Sequence, residues 1–588
     1  MERKMEHPMI YLGADNIISS LGFTTEECWN ALLQSQSGLR TLQNAQLYSQ
    51  PFVGGKIDDE RLQILVSEQN LTNFSRFEQL LILSIRQTLA QSNLDVSQPD
   101  CGLILASTKG NISLLSAENE TSDELFLSHS AEKVSGYFGF STQPIIVCNA
   151  CISGVTGMIV AKRLIENGTY KHVVVAGGDE LSQFVVSGFH GFKSVSADIC
   201  RPYDASRDGL SLGEAFGSVL IASNLNLGVY TKKPTALLGG SATNDSNHIS
   251  GPSRTGEELH FAIENAIRQA KLTSQDISFI NAHGTATAYN DEMESKALYL
   301  SLLSKTPMQS LKSYFGHTLG ASGVIETIIC KKQLETDIIL GIPTFETIGT
   351  PHPLNIASEH RNLKLNFGVK TASGFGGCNA AIVLGNGVGD RKTSEIQTKS
   401  ELKIATTCRI DTSGVALNNE FLLAKETVDD FFAFIRKAYK QLDLEYRKFY
   451  KMDDLSKLGF IATAYLTRNI KDFTEFQPEK KGIVMANRSA SLDTDINYRR
   501  NLDEVGEQEA SPAIFVYTLP NVMLGEICIY WKMKGENTFF IQREFDKSFL
   551  MQYAEIMMSE QDLKYCIVGW CDLLGSDFEA EMYLVEKE

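Results

Sequence analysis

Short apolar runs alternate with amphipathic stretches along much of the chain. Residues 102–106 and 172–176 are rich in Val, Ile and Ala, and their length is typical of buried strands. Residues 155–167 lie between them and carry apolar positions at helical spacing. This alternation predicts an α/β fold with buried strands.

A polar stretch interrupts this pattern at residues 385–402, with the sequence GNGVGDRKTSEIQTKSEL. It is rich in glycine at its start and shows no apolar periodicity, which is typical of a linker. The chain of 588 residues is also too long for one ordinary core. We therefore predict a first domain at residues 1–388, a linker at 389–402 and a second domain at 403–588.

The segment after the linker resembles the start of the chain. It begins with LKIATTCRID, which is similar to PMIYLGADNI, and it continues with KGIVMANRS, which is similar to CGLILASTKG. Internal similarity of this kind indicates a repeated structural unit. A chance resemblance between generic α/β strands is the alternative.

An apolar run near the carboxyl terminus gives stronger support for the repeat. Its sequence, YCIVGWCDLL, parallels HVVVAGGDEL and aligns Asp572 with Asp179. The residue 28 positions before each aspartate is Cys151 in the first copy and Glu544 in the second copy. The second copy therefore lacks the thiol, and it covers only the amino-terminal half of the first domain.

Composition and charge narrow the classes of function. The chain is 43% hydrophobic and 21% charged, and it has no apolar run of the ~18 residues that a membrane helix needs. The amino terminus lacks the apolar core of a secretory signal, and eleven cysteines, an odd number, favour reduced thiols. We expect a cytoplasmic location. The net charge of -17 opposes binding to nucleic acid or to anionic membranes.

The strongest candidate for chemistry is Cys151, in the sequence PIIVCNACISGVTGMIVAKRLIENG. This stretch predicts a buried strand, a sharp turn and a helix, with the cysteine at the turn. The helix dipole and free backbone N–H groups at that position favour a thiolate. Ala150, Ser153 and Gly154 are small and leave room for an acyl group.

Two other interpretations of this cysteine stay open. A buried cysteine often serves only as a small apolar side chain. Cys148 and Cys151 also form a CxxC pair, which could be a redox site or half of a zinc site. The sequence offers no second CxxC or HxxxH, which argues against zinc, and the size of the surrounding domain argues against a thioredoxin-like fold.

Three further motifs carry candidate partners for the thiol. His283 ends an apolar run in INAHGTATAYNDEMESKAL, and His317 precedes a predicted helix in LKSYFGHTLGASGVIETIIC. A Gly-Phe-Gly-Gly loop enters a last strand in KTASGFGGCNAAIVLG. Each histidine alone could be structural and each glycine loop an ordinary turn. Their order and composition together point to one site.

These motifs together resemble the elongating β-ketoacyl-[acyl carrier protein] synthases of the Cys-His-His type, within the thiolase-like superfamily. The family carries ACSS-like, HGT and GHxxGA motifs, and this sequence has ACIS, HGTAT and GHTLGA in that order. RPYDASRDGLSLGEAFG also resembles the family segment RPFDxxRDGFxxGEGAG, and GFGGCNA resembles GFGGTNA. The resemblance covers residues 8–388. It implies a layered αβαβα fold made of two similar halves, followed here by a half-synthase-like α/β domain.

The activity implied by the resemblance is a decarboxylative Claisen condensation of an acyl thioester with malonyl-[acyl carrier protein]. The product is a 3-oxoacyl-[acyl carrier protein], formed through an acyl group bound to the cysteine. One alternative is a chain-length-factor-like or scaffold partner of another synthase, against which the intact Cys-His-His set argues. A coenzyme A thiolase with Cys378 as its base is another, although His283 occupies the synthase position.

The resemblance also assigns roles to individual residues. Cys151 accepts the acyl chain, and the backbone N–H groups of Cys151 and Phe375 stabilise the oxyanion. His283 and His317 hold the malonyl thioester carbonyl and stabilise the enolate. The remaining assignments are a buried ion pair of Lys312 and Glu326, a gating role for Phe375, substrate contacts by Thr285, Thr287, Gly374 and Gly376, and structural hydrogen bonds by Asp291 and Glu294.

Departures from the family pattern lie beside the acyl pocket. Cys148 and Asn149 replace the usual Asp-Thr, and Ser373 replaces a common Phe, so acyl chain length and substrate shape do not follow from the resemblance. The ACISG variant resembles synthases of aryl-polyene and related pigment pathways.

The resemblance implies no metal and no organic cofactor in the chain, because phosphopantetheine arrives on the carrier protein. The expected partners are an acyl carrier protein and either a second copy or a related synthase-like chain, paired through the strand next to the nucleophile. We expect no binding to nucleic acid or membranes. Arg201 and Arg207 are candidates for carrier docking or for internal salt bridges. For the second domain we predict a structural role or a role in docking a partner.

Overall fold

The computed structural model describes residues 8–224, 233–386, 402–471 and 473–587. The predicted linker at 389–402 lies outside the described residues, except for Leu402, which begins a strand. Among the helices that the structure describes, none has both the length and the apolar composition that crossing a bilayer requires.

The amino-terminal half of the first domain is built around a five-stranded sheet in the order β5-β4-β6-β8-β1. Strands β4, β5 and β6 are parallel, and β8 is antiparallel to both β6 and β1. The strands predicted at 102–106 and 172–176 and the helix at 155–167 are confirmed as β4, β6 and α5. The elements are β1 Tyr11–Ser19, α1 Thr25–Leu33, β2 Arg40–Leu42, β3 Phe52–Gly55, α2 Asp59–Glu68, α3 Arg76–Ala90, β4 Cys101–Ala106, α4 Leu127–Phe138, β5 Ile145–Val147, α5 Ser153–Glu166, β6 His172–Asp179, α6 Gln183–Gly191, β7 Leu212–Gly213 and β8 Ala215–Ala222.

The second half of the first domain repeats this topology. Its sheet runs β9-β16-β15-β10-β11-β13, with antiparallel pairs at the β9 end and parallel pairs from β15 onward. The predicted pair of similar halves is therefore confirmed. The elements are β9 Thr235–Asn244, α7 Glu257–Gln269, β10 Phe279–Asn281, α8 Ala288–Leu300, β11 Pro307–Gln309, α9 Lys312–Phe315, α10 Ser322–Thr336, β12 Ile338–Ile339, β13 Asn355–Ile356, β14 Arg361–Asn362, β15 Phe367–Gly374 and β16 Cys378–Asn386.

Helices α5 and α10 lie between these two sheets and contact each other at glycines. A Cβ on Gly323 would lie 2.2 Å from the backbone nitrogen of Val155, and one on Gly154 would lie 2.7 Å from that of Val324. Only glycine, which has no Cβ, allows the backbones of the two helices to come this close. The contact brings the amino termini of the two helices, and the loops before them, to the same place.

The carboxyl-terminal segment repeats the amino-terminal half once more. Its sheet runs β21-β20-β22-β23-β17-β18-β19, with the same parallel and antiparallel pairs as β5-β4-β6-β8-β1. The elements are β17 Leu402–Asp411, β18 Gly414–Leu417, β19 Glu420–Ala424, α11 Phe431–Gln441, α12 Asp454–Thr467, β20 Lys481–Asn487, α13 Leu492–Val505, α14 Pro512–Phe515, α15 Asn521–Trp531, β21 Asn537–Ile541, α16 Lys547–Gln561, β22 Tyr565–Leu574 and β23 Asp577–Lys587.

The aligned aspartates make the same contacts in both copies. Asp179 accepts hydrogen bonds from the backbone nitrogens of Thr108 and Lys109, both at 3.1 Å. Asp572 accepts them from the corresponding nitrogens of Arg488 and Ser489, at 3.1 and 2.8 Å. The half-length repeat predicted from the sequence is confirmed by these contacts and by the shared topology.

The first domain and the carboxyl-terminal segment join edge to edge. Strand β5 pairs antiparallel with β21, with Val147 opposite Phe540 and Ile146 opposite Ile541, so their two sheets form one continuous sheet. This is the strand next to Cys151, where we expected contact with a second subunit. Within this chain that edge is already paired.

A buried ionic cluster lies across the same junction. Arg163 of α5 is fully buried, and its guanidinium donates to Glu536 at 2.9 Å and to Glu560 at 2.8 Å, while Tyr553 lies 2.7 Å away. All three partners belong to the carboxyl-terminal segment. Removing one partner of such a cluster leaves a buried charge uncompensated.

Candidate active site

Cys151 lies on a strained turn between β5 and α5. Ala150 has a φ of +47°, a left-handed conformation that non-glycine residues rarely adopt, and a short 3-10 turn covers Ala150–Ile152. The hydroxyl of Ser153 accepts from the Asn149 backbone N–H at 2.8 Å and donates to the Ala150 carbonyl at 2.6 Å. The sharp turn predicted from the sequence thus places the sulfur just before the helix.

The second half of the domain builds a matching turn before α10. Leu319 has a φ of +50°, and the 3-10 turn Leu319–Ala321 leads into the helix. His317 precedes this turn, and its Nε2 lies 3.1 Å from the sulfur of Cys151. The two similar halves therefore bring together side chains that are 166 positions apart in the sequence.

His283 completes the group at the end of β10. Its ring centroid lies 5.2 Å from that of His317, with the two rings nearly perpendicular. Glu294 accepts from the backbone nitrogens of His283 and Gly284 at 2.8 and 2.7 Å, and the Tyr203 hydroxyl donates to it at 2.7 Å. Glu294 therefore holds the loop that carries His283, in agreement with the structural role predicted for it.

Asp291 also makes structural contacts. Its carboxylate accepts from the Tyr203 backbone N–H at 2.7 Å and lies 3.8 Å from the guanidinium of Arg207. Burial raises the pKa of Asp291 to about 7.

The carboxylate of Glu326 lies between two buried ammonium groups. Lys312 contacts one of its oxygens, as predicted, and Lys370 contacts the other. Burial disfavours the charged carboxylate, but the two lysines outweigh burial and lower the pKa of Glu326. Lys370 was not among the residues predicted from the sequence, although KTASGFGG begins with it.

Both histidines are neutral. Burial, and then the positive charge of Lys312, lowers the pKa of His283 and of His317 well below the ordinary value. Neutral imidazoles can donate hydrogen bonds to developing negative charge and can accept a proton.

Burial acts against the thiolate that the position of Cys151 before a helix predicts. Burial raises the pKa of Cys151 to about 12, although Lys312 acts in the opposite direction. The neutral His317 at 3.1 Å is placed to accept the proton when the sulfur attacks. Hydrogen bonding from the backbone N–H groups of Cys151 and Phe375 also lowers the pKa of Cys151, against the effect of burial.

The Gly-rich loop packs directly against this turn. A Cβ on Gly374 would lie 3.1 Å from the backbone nitrogen of Cys151, so a side chain there would crowd the turn. The ring of Phe375 lies 5.4 Å from that of Phe192 and 6.1 Å from that of Phe189. Phe375 therefore sits in an aromatic cluster beside the sulfur.

Two cavities meet at Cys151 and Phe375. The larger has a volume of about 260 Å³ and the smaller about 20 Å³. The larger cavity is lined by most of the predicted site, namely Cys151, His283, Thr285, Thr287, His317, Gly374 and Phe375. The hydroxyls of Thr285 and Thr287 lie 2.9 Å apart in its wall.

The smaller cavity lies behind the sulfur and is closed by the carboxyl-terminal segment. Phe515, Thr518 and Leu519 line it together with Lys109 of the first domain. The buried ammonium of Lys109 lies 2.8 Å from the carboxylate of Asp495. The segment therefore forms part of the wall of the site.

Some predicted residues lie elsewhere. Gly376 lines neither cavity, because its backbone faces Asn521 of the carboxyl-terminal segment. Arg201 pairs with Asp204 and Glu346, and Arg207 donates to backbone carbonyls. Both arginines therefore have partners within the chain, in line with the internal salt bridges that we gave as the alternative to carrier docking.

A polar wall of the larger cavity was also missed by the sequence analysis. Ser373 donates to the side-chain oxygen of Asn379 at 2.7 Å, and Asn379 donates to Asp245 at 2.6 Å. Burial and the nearby carboxylate of Glu258 raise the pKa of Asp245 to about 7. Asp245 lies in NDSNHISGP, which reads from sequence as an ordinary polar loop.

Cys378, the candidate base of a thiolase, makes hydrogen bonds to the backbone. Its S–H donates to the carbonyl of Phe375 at 3.3 Å and lies 3.7 Å from that of Asn149. It lines neither of the two cavities that contain Cys151, and burial raises its pKa well above the ordinary value.

The sequence of this chain is similar to those of known proteins. Residues 14–225 match the family described as "Beta-ketoacyl synthase, N-terminal domain", and residues 235–346 match "Beta-ketoacyl synthase, C-terminal domain". A 3-oxoacyl-[acyl-carrier-protein] synthase 2 of Vibrio harveyi is 27% identical over 404 residues, which cover 62% of this chain and 96% of the relative.

Two solved structures show how far the likeness extends. The ketosynthase ApeO of Xenorhabdus doucetiae, in complex with its chain length factor ApeC, is 25% identical with a TM-score of 0.55, covering 64% of this chain and 98% of that chain. The PfaC keto synthase-chain length factor is 14% identical with a TM-score of 0.75, covering 99% of this chain and 78% of that chain. The second likeness shows that the fold of nearly the whole chain recurs in a known protein.

Proposed function

The chain belongs to the β-ketoacyl synthase family, and we propose that it condenses an acyl group bound to Cys151 with malonyl-[acyl carrier protein], releasing CO2 and a 3-oxoacyl-[acyl carrier protein]. One observation carries this proposal. The sulfur of Cys151 lies 3.1 Å from the neutral His317, in a cavity that His283 also lines.

In the first half of the reaction, Cys151 attacks the carbonyl carbon of an acyl thioester. The thiol proton passes to Nε2 of His317, and the oxyanion accepts hydrogen bonds from the backbone N–H groups of Cys151 and Phe375. When the carbon–sulfur bond to the carrier breaks, the leaving thiolate takes the proton from His317. The products are an acyl-enzyme and a free carrier thiol.

In the second half, the malonyl thioester carbonyl accepts hydrogen bonds from His283 and His317. The carbon–carboxylate bond breaks, CO2 leaves, and the two imidazoles stabilise the enolate that remains. The enolate carbon attacks the carbonyl carbon of the acyl-enzyme, the bond to the Cys151 sulfur breaks, and the resulting thiolate takes a proton from solvent. Ser322, whose hydroxyl lies 3.4 Å from Nδ1 of His317, can donate to or accept from that nitrogen and so supports both roles of Nε2.

We also propose the partners and setting of this reaction. An acyl carrier protein supplies both thioesters, and its phosphopantetheine means that the chain needs no cofactor of its own. The carboxyl-terminal segment takes the place of a neighbouring subunit, since β21 pairs with β5. The complex of ApeO with its chain length factor supports this arrangement. All eleven cysteines are unpaired, which supports a cytoplasmic location.

The scaffold alternative applies to residues 402–587. This segment has Glu544 near the position of the nucleophile, between β21 and α16, and no histidine lies in residues 402–587. The segment lines the smaller cavity beside Cys151 and contacts the Gly-rich loop at Phe375, which indicates a supporting role.

Mass spectrometry of the intact protein and its peptides after exposure to a panel of acyl-carrier thioesters tests the proposal. We expect the acyl mass on the peptide that contains Cys151, its loss in Cys151→Ala, and condensation only when malonyl-[acyl carrier protein] is added. Label on another residue, or carbon–carbon bond formation by Cys151→Ala, contradicts the proposal. Product from acetyl-coenzyme A alone would indicate a thiolase.

A further inference from the structure

The Gly-rich loop beside Cys151 is held by a residue from the carboxyl-terminal segment. We propose that Asn521 is a positioning residue for the oxyanion hole, because its side-chain amide holds the carbonyl of Phe375, which lines the cavity beside Cys151 and whose backbone N–H serves the proposed reaction. This inference rests on the proposed function and assigns part of the synthase site to a segment that contains none of the reacting groups.

The contact is direct and buried. Asn521 is the first residue of α15, is fully buried, and its Nδ2 donates to the carbonyl oxygen of Phe375 at 2.8 Å. The S–H of Cys378 donates to the same oxygen at 3.3 Å. Two donors therefore hold one peptide group of the loop.

Helix α15 also packs on the backbone of the loop. Gly376 has a φ of +88°, and a Cβ there would lie 2.6 Å from Nδ2 of Asn521. A Cβ on Gly525, one turn further along α15, would lie 2.6 Å from the carbonyl oxygen of Gly376. The loop and the helix thus touch through glycines, and a shift of one moves the other.

The first domain holds the other side of the loop. The backbone nitrogen of Gly376 donates to the carbonyl of Ile249 at 2.6 Å, and the Gly376 carbonyl accepts from Asn244 at 2.9 Å. Asn521 supplies the hydrogen bond on the Phe375 side. Without it, the carbonyl of Phe375 keeps only the longer contact from Cys378 at 3.3 Å. Phe375 can then rotate more freely, and its N–H, on the other side of its Cα, is less well aligned with an oxyanion on the acyl carbon.

The side-chain amide of Asn521 makes a hydrogen bond through its nitrogen, which donates to Phe375. Its Oδ1 is buried and has no hydrogen-bond partner among the described residues. An unpartnered buried acceptor destabilises the folded state, so a leucine of similar shape at this position removes that penalty together with the donor. A purely structural role would lower stability on substitution, whereas a positioning role lowers the rate of acylation.

Single-turnover acylation of Cys151 by an acyl-carrier thioester, with the thermal midpoint measured in parallel, tests this assignment. Loss of an oxyanion donor lowers kcat about 10²–10³-fold, so a misaligned donor in Asn521→Leu is expected to lower the maximal acylation rate about 10–100-fold. The carrier concentration at half-maximal rate and the thermal midpoint should stay close to those of the wild type. Glu560→Gln, which alters the same junction at Arg163 but not the loop, is the matched control and should keep the wild-type rate.

Asn521→Asp provides a second readout. A protonated carboxyl group can donate to the Phe375 carbonyl and a carboxylate cannot, so the rate of this variant relative to wild type should rise as the pH falls. Asn521→Leu should show no such rise.

Wild-type acylation rates in Asn521→Leu, or a pH profile of Asn521→Asp parallel to wild type, overturn the assignment of Asn521. Failure of the wild-type chain to acylate Cys151 overturns the proposed function instead.

Discussion

Asn149 shows how one side chain ties the nucleophile to the rest of the molecule. Its amide nitrogen donates to the carbonyl of Asn537 at 2.9 Å, and its amide oxygen accepts from the backbone nitrogen of Phe539 at 2.8 Å. The side chain thus extends the ladder between β5 and β21 towards Cys151. From the sequence, Asn149 was recognised only as a departure from the family pattern beside the acyl pocket.

Asn149→Ala leaves a buried donor and a buried acceptor of β21 without partners. At about 1–3 kcal/mol for each group, we expect the free energy of unfolding to fall by roughly 2–6 kcal/mol, measured by urea denaturation. Asn265→Ala, on a helix at the surface, is the control and should change it by less than about 0.5 kcal/mol. A change in Asn149→Ala no larger than in the control would show that the amide bridge adds no stability.

The pKa of Cys151 predicts its reactivity in the absence of substrate. Because burial raises this pKa to about 12, the fraction of thiolate should rise about tenfold per pH unit with no plateau in the neutral and mildly alkaline range. The rate of alkylation by iodoacetamide, followed by mass spectrometry of the Cys151 peptide, measures this. A plateau near neutral pH would instead reveal a resting thiolate.

Sequence alone identified the reacting residues better than their surroundings. Cys151, His283 and His317 follow from short motifs, and the structure brings them together. Lys370 and Asp245 were missed because their importance depends on which neighbours a strand or loop faces, and neighbours distant in sequence leave no local pattern. Gly376 was expected at the substrate because of its motif, but it faces a segment that the motif does not describe.

At the scale of elements, α14 determines how much room lies behind the sulfur. Phe515, the last residue of this helix, packs against Phe184 and Phe189 and closes the cavity of about 20 Å³. An acyl group that extends from Cys151 into this cavity must share the space with the ring of Phe515 or displace it.

Phe515→Ala should enlarge this cavity and shift acylation towards longer chains. Competition among carrier thioesters of graded chain length, with the acyl-enzymes counted by mass spectrometry, measures the shift. Phe434→Ala removes a buried ring of the same segment away from the cavity, and both variants should lose about 3–5 kcal/mol of stability. An unchanged chain profile in Phe515→Ala, equal to that of Phe434→Ala, would show that the ring does not limit the acyl group.

The elements themselves were predictable where their pattern is long or repeated. β4, β6 and α5 follow from apolar runs, and the aspartate at the end of β22 revealed the repeat. The pairing of β5 with β21 was not predicted as a contact within one chain, because β5 has only three residues and its partner lies almost 400 positions away. Such a pairing depends on tertiary packing that periodicity does not report.

At the scale of the whole molecule, the carboxyl-terminal segment covers an edge that would otherwise be open. A chain ending at residue 388 would expose the backbone groups of β5 and the apolar side chains around it. Exposed strand edges recruit other strands.

We therefore expect residues 1–388 alone to dimerise through β5 or to aggregate, and to acylate Cys151 more slowly than the full chain. Light scattering and the mass-spectrometric assay measure the two effects. Arg163→Met in the full chain, which removes a buried partner of Glu536, is a milder disturbance of the same junction. A monodisperse monomer of residues 1–388 with full activity would remove any role for the segment.

The pairing of β5 with β21 has a consequence for behaviour on dilution. An enzyme whose site is completed by a separate protein loses that protein as the concentration falls. Here both strands belong to one polypeptide, and covalent connection gives an effective concentration that dilution does not change, on the order of millimolar for short flexible tethers. Specific activity should therefore stay constant down to the most dilute assay, and each molecule always carries its own supporting strand.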